Sequence, residues 1–281
     1  MSLTGITAYL RPQTLEEAYS CLGSGALAVA GGTDVLRHSH VGVHTLVDLG
    51  ALPLRYIREE HGFAVGANAT LTDLLGHPGL AAHLDGVIAG MLQAVGSPLL
   101  RNAATIGGHL ARRRHSDIVP VLLALDAGVT VYEGAERTLP LAEFYGEGTA
   151  GSRPLITEVQ IPPAGKDTAA AFLKFSRTVF DFALLNCAVL VRRDGDGRVG
   201  HCRIVVGETP ALGATVPDAE DALRGSAFDD ASIAAAAETA VAAVPFAGDQ
   251  RAAADYRRAL CRVAVRRCLE EARRRLEGGR R

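Results

Sequence analysis

Tryptophan is absent from this 281-residue chain and lysine nearly so, with Lys166 and Lys174 the only two. Arginine carries the rest of the positive charge, so Lys174 marks a place where a compact ammonium matters. The formal net charge of −2 argues against general affinity for nucleic acid or anionic membranes. No apolar run approaches the ~18 residues of a membrane span. The opening Met1-Ser2-Leu3-Thr4-Gly5-Ile6-Thr7 has neither a basic segment nor a long apolar stretch, so a cytoplasmic protein is expected. Cysteine is scarce and odd in number: Cys21, Cys187, Cys202, Cys261 and Cys268, with no Cys-x-x-Cys pair. These read as buried apolar residues or free thiols. His38, His40, His44, His77, His83 and His201 fall at no metal-ligand spacing, and no nucleophilic triad is visible.

What is present is a globular composition, 48% apolar and 21% charged, in a chain long enough for two domains. Its centre of organisation is Thr105-Ile106-Gly107-Gly108-His109. Consecutive glycines destabilise helix or strand interiors by roughly 0.5–1 kcal/mol each, so this pair reads as a tight turn whose N–H groups line an anion-sized hollow. A second pair of the same construction lies upstream, where the strand-like Ala26–Ala30 breaks into Gly31-Gly32-Thr33-Asp34. Two such hollows suit one long phosphate-bearing ligand gripped from both sides.

Around them the elements follow in order. Thr14 is placed to cap a helix beginning Leu15-Glu16-Glu17. With strands at 26–30 and 43–49 this makes a small α/β unit. Residues 50–55 link to a second lobe, where 56–58 and 63–67 pair as strands. Val87–Val95 has helical spacing and stops at Gly96-Ser97-Pro98. Ser116 is placed to cap a buried helix running to Leu125, with Pro120 in its first turn. Val129–Tyr132 and Arg137–Leu141 read as a hairpin, and Pro162–Asp167 as a domain boundary. Beyond it come three strands, at 171–177, 184–192 and 201–206, then helices at 233–244 and 256–276.

The two glycine motifs resemble those of the FAD-binding medium subunit of molybdenum hydroxylases, the group of xanthine dehydrogenase and aerobic carbon monoxide dehydrogenase. So do the Tyr9–Ala18 opening, Val65–Thr70, Leu155–Pro162, Phe172–Arg177 and Asp255–Arg258, in the family's order. The resemblance implies an α+β fold: a two-lobed FAD-binding domain of the PCMH type over 1–163, then a C-terminal domain over 168–278. The first would have lobes of about 1–52 and 53–163, one small α/β and one a mixed or antiparallel sheet with helices. The second would be a three-stranded antiparallel sheet with helices.

It also implies an FAD-dependent oxidoreductase subunit without a catalytic residue of its own. Val29, Ala30, Gly31, Gly32, Thr33 and Asp34 would hold one side of FAD; Thr105, Ile106, Gly107, Gly108 and His109 the other, with Ile106 against the flavin. Asp117, Leu155 and Lys174 match further cofactor-contacting positions. The chain lacks the cysteine set for iron–sulfur clusters. Partners are therefore expected: a small subunit with [2Fe-2S] clusters and a large one with the molybdenum cofactor, electrons passing through FAD to NAD, oxygen or quinone. A free-standing FAD oxidoreductase or oxidase acting on its own small substrate is the alternative, and a flavin-binding module without turnover a third.

Two departures stand out. Residue 109 is histidine where the family most often has asparagine, bringing a larger ring able to titrate near neutral pH. The loop Arg112-Arg113-Arg114-His115-Ser116-Asp117 is one residue shorter than the family's. Its arginines read either as a solvated face or as a group meeting an acidic partner surface or the pyrophosphate.

Overall fold

The computed structural model describes residues 5–38, 40–113, 116–146, 154–209 and 213–278. Met1–Thr4 of the opening, and Arg114 and His115 of the arginine run, lie outside them. The chain forms two compact units, Met1–His77 with Ser97–Arg113 and Ala127–Ile161, and Pro78–Gly96 with Arg114–Asp126 and Pro162–Arg281.

In the first unit, strands Ala8–Leu10, Thr45–Asp48 and Ala26–Val29 make a parallel sheet with Thr45–Asp48 in the middle. Thr14 caps the helix Leu15–Cys21 as expected, its side chain accepting from the Glu17 N–H. Glu17 reaches back to the Gln13 N–H at 2.8 Å, which ties the residue before the cap to the first turn. A five-stranded sheet runs in the order Ile57–Glu60, Gly62–Gly66, Leu155–Ile161, Gly128–Tyr132, Glu136–Pro140, antiparallel throughout. The expected hairpin is its last pair, turning at Glu133–Ala135. Val65, Val129, Val131 and Val159 are fully buried on one face.

The segment leaving strand Gly62–Gly66 positions the second glycine motif. The carbonyls of Ala67 and Ala69 accept from Gly107 and Ile106 at 2.9 and 3.0 Å, and the Leu71 N–H donates to Ala104 at 2.9 Å. Residues 104–107 are thereby stitched to 67–71, a connection between distant stretches of sequence.

In the second unit, Thr168–Phe175, Leu185–Arg193 and Val199–Gly207 form the three expected antiparallel strands. A two-residue strand, Ala214–Thr215, adds a fourth beside Val199–Gly207. The 25-residue helix Ala254–Gly278 buries Leu260, Cys261, Ala264, Val265, Cys268, Leu269 and Ala272, a stripe at helical spacing that packs on the sheet. The expected helix at 87–95 begins earlier, at Pro78, with a kink at His83–Gly86. Arg275 supports that kink by donating to the carbonyls of Leu84 and Ala170 at 3.3 and 2.8 Å. All five cysteines are free, and all but Cys21 are buried.

Glu208, just past strand Val199–Gly207, combines a left-handed backbone (φ +62°) with a side chain 1% exposed. Its carboxylate accepts from Arg251 Nη2 at 3.0 Å. Burial nevertheless outweighs the arginine and pushes its pKa up from 4.5 to about 7. The native state then holds a proton that the unfolded chain has released, so this contribution to stability is full below pH 4.5 and is lost as pH rises through 7. Glu208→Gln is expected to flatten the decline in unfolding free energy across that window, measured by urea denaturation. An unchanged slope in the variant would show that the native carboxyl carries no such proton.

Candidate functional site

Strand Ala26–Val29 runs out at Gly31, whose backbone lies directly on another segment. A Cβ built there would sit 1.7 Å from the carbonyl oxygen of Ala103. Only glycine permits that approach. Gly32 takes a left-handed conformation at φ +69°, the second glycine requirement of this turn. Among the described residues, no acceptor takes the backbone N–H groups of Gly31, Gly32, Thr33 or Asp34. Partly buried donors in a consecutive run call for a partner such as an anion.

The second motif differs from its expected form. Instead of a tight turn, Ile106–Ala111 is a short helix capped by Thr105, whose side chain accepts from the Gly108 N–H at 3.2 Å. The N–H groups of Ile106, Gly107, Gly108 and His109 all have protein acceptors, so they line no open hollow. Gly107 is required for a different reason. A Cβ there would fall 2.6 Å from Ala67 Cβ and 2.9 Å from its carbonyl oxygen. The two motifs thus lie close, Gly31 against Ala103 and Gly107 four residues on, but only the first keeps its backbone donors unengaged.

The second motif contributes side chains instead. His109 Nδ1 is buried with no partner among the described residues. Desolvation, helped by the nearby Arg112 charge and opposed by Asp34, drives its pKa down to about 3, so the imidazole is neutral at physiological pH. Whether the ring titrates near neutrality was open in the sequence; its burial, invisible there, overrides its intrinsic value. Arg112, 13% exposed, lies 3.8 Å from Asp34 Oδ1, and His38 Nε2 approaches the same oxygen at 3.5 Å. Arg113 turns elsewhere, donating to the Phe144 carbonyl at 2.7 Å and lying over the Phe144 ring.

The remaining candidates are placed as follows. Val29 and Ala30 are partly buried at the end of their strand, Ile106 and Leu155 are core residues, and Thr105 is buried as the cap. Asp117 and Lys174 belong to the second unit, where they form a buried ion pair at 2.8 Å. Lys174 Nζ also donates to the Ala94 carbonyl at 2.8 Å, and Asn186 Nδ2 donates to Asp117 Oδ1 at 2.7 Å. Ser116 Oγ accepts from the Ile118 N–H at 3.1 Å, but the N-cap position of helix Ile118–Ala124 falls one residue later than expected, at Asp117. The Asp117 side chain makes no capping bond because it turns to Lys174 and Asn186. Sequence reasoning missed Asn186; its signal was a lone amide inside the apolar run Leu184–Val191.

The family described as the FAD binding domain in molybdopterin dehydrogenase matches residues 4–164, and the CO dehydrogenase flavoprotein C-terminal domain matches 170–272. The chain is 31% identical to the carbon monoxide dehydrogenase medium chain of Hydrogenophaga pseudoflava, over 94% of this chain and 96% of that one. It belongs to the FAD-binding medium subunits of the molybdenum hydroxylases.

This flavoprotein subunit is also 30% identical to the nicotine 6-hydroxylase medium subunit of Paenarthrobacter nicotinovorans, over 94% and 96% of the two chains. The solved carbon monoxide dehydrogenase of H. pseudoflava superposes with a TM-score of 0.88 at 30% identity, covering 96% of this chain and 98% of that one. The reconstituted CO dehydrogenase from Oligotropha carboxidovorans gives 0.90 at 26%, covering 98% and 100%. The donor set of the flavoprotein subunit fits FAD. Four unengaged N–H groups beside an orphaned, neutral imidazole suit a diphosphate, which carries acceptors and no donors.

Proposed function

We propose that this subunit holds FAD with the 29–34 turn and the 105–109 segment and works as the electron-relaying member of a three-subunit hydroxylase. When bound, FAD supplies the redox chemistry, linking [2Fe-2S] clusters of a small partner to NAD, oxygen or a quinone. The observation that carries this reading is the run of unengaged backbone donors at Gly31–Asp34. The chain's own residues bind and orient: the Gly31–Asp34 amides face the diphosphate, and His109 Nδ1 offers a neutral hydrogen bond. On the family pattern we also assign cofactor contacts to Asp117, Leu155 and Lys174. The two folding domains we assign are 1–163, with lobes of about 1–52 and 53–163, and 168–278, close to the two matched regions. We place its work in the cytoplasm, in keeping with five free cysteines.

Purification from the native source under mild conditions, followed by absorbance and metal analysis, tests this. The expected result is one FAD per chain, with iron, molybdenum and two co-migrating subunits. A chain that takes up no flavin overturns the cofactor assignment. A flavin-loaded chain that turns over a small substrate alone, without iron or molybdenum, overturns the complex.

A further inference from the structure

The arginine run after the second glycine motif has no role in the reading above, yet its first member does not lie in open solvent. Arg112 is 13% exposed and sits 3.8 Å from Asp34, the last residue of the turn with unengaged N–H groups. His109, one helical turn before Arg112, interacts electrostatically with both residues and leaves Nδ1 buried and unpartnered among the described residues. An acid, a cation and an orphaned neutral ring therefore converge on a row of backbone donors. Backbone N–H groups alone carry only partial charge, and the Asp34 carboxylate opposes any anion brought to them.

We propose that Arg112 is a direct cationic contact to the diphosphate of the bound dinucleotide, oriented by Asp34, with His109 Nδ1–H donating beside it. This rests on the FAD reading and deepens it. Asp34 steers the guanidinium toward the turn and offsets its charge while the diphosphate is away. An arginine fork suits this task, because it reaches two phosphate oxygens in one plane.

The test measures binding of FAD, ADP and riboflavin to the full chain stripped of cofactor, by calorimetry or flavin fluorescence. Wild-type protein binding neither FAD nor ADP would sink the underlying cofactor reading, independently of Arg112. If wild type binds, Arg112→Gln is expected to weaken FAD and ADP about ten- to a hundredfold, the range for one charge-assisted hydrogen bond. Riboflavin, which has no phosphate, should bind the variant as it binds wild type. Arg112→Lys should retain part of the affinity and added salt should erode the wild-type advantage, since both follow from charge. The double variant Asp34→Asn/Arg112→Gln decides between direct contact and simple neutralisation of Asp34. Persistent weak FAD binding in the double variant supports the contact; full recovery overturns it. Equal loss of riboflavin binding in Arg112→Gln would also overturn it, because the arginine would then be holding the fold.

Discussion

Gly31→Ala is expected to leave the protein without bound FAD and to lower its unfolding free energy by about 3 kcal/mol or more. The new methyl carbon would lie 1.7 Å from the Ala103 carbonyl oxygen and 2.7 Å from its carbon, well inside any allowed contact. Both are backbone atoms, held by the Leu71–Ala104 and Ile106–Ala69 hydrogen bonds, so they cannot rotate aside as a side chain would. Either the Gly31–Asp34 turn lifts away or the 103–107 segment shifts, and each displaces the donors proposed to meet the diphosphate.

Gly32→Ala provides the graded comparison. Its obstacles are a positive φ and the Leu36 side chain at 2.8 Å, which is half exposed and free to swing. That variant is expected to cost about 1 kcal/mol and to retain measurable FAD. Thermal unfolding and flavin content of the two proteins check the order. Equal losses, or a milder effect at Gly31, would show that backbone dihedral rather than close approach makes the first motif glycine-rich.

How far the molecule was legible beforehand depends on the range of the interaction. The Thr14 cap, the Glu133–Ala135 hairpin turn and the three long strands of the second unit are set by neighbours within a few residues, and each stood in the sequence. The positions of both glycine pairs were equally plain. Their reasons were not, because the atoms that exclude a Cβ at Gly31 and Gly107 belong to Ala103 and Ala67, far along the chain. A tight turn was the natural expectation at Gly107-Gly108; a six-residue helix is found, since the stitched 67–71 segment takes up the N–H groups of Ile106 and Gly107. The Asp34–Arg112 approach and the desolvation of His109 arise the same way, from tertiary contact alone. Asn186 marks the middle case, where an amide in an apolar strand announces a buried partner without saying that it is Asp117.

That partner anchors the second large effect. Lys174→Met is expected to destabilise the protein by about 3–5 kcal/mol, the usual consequence of stranding one member of a buried ion pair. Lys174 and Asp117 are 7% and 9% exposed at their side chains, and beyond their 2.8 Å contact Asn186 is the further side-chain donor to the carboxylate among the described residues. Methionine fills the volume of the lysine stem, so packing changes little and the loss reports chiefly on charge. Asp117→Asn strands the ammonium instead, leaving it the Ala94 carbonyl, and should cost a comparable amount. The double variant Lys174→Met/Asp117→Asn removes both charges and should be markedly more stable than the sum of the single losses predicts. Urea unfolding of the four proteins closes this cycle. Strict additivity would mean that neither residue depends on the other, and the placing of a lone buried lysine in an arginine-rich chain would then need a different cause.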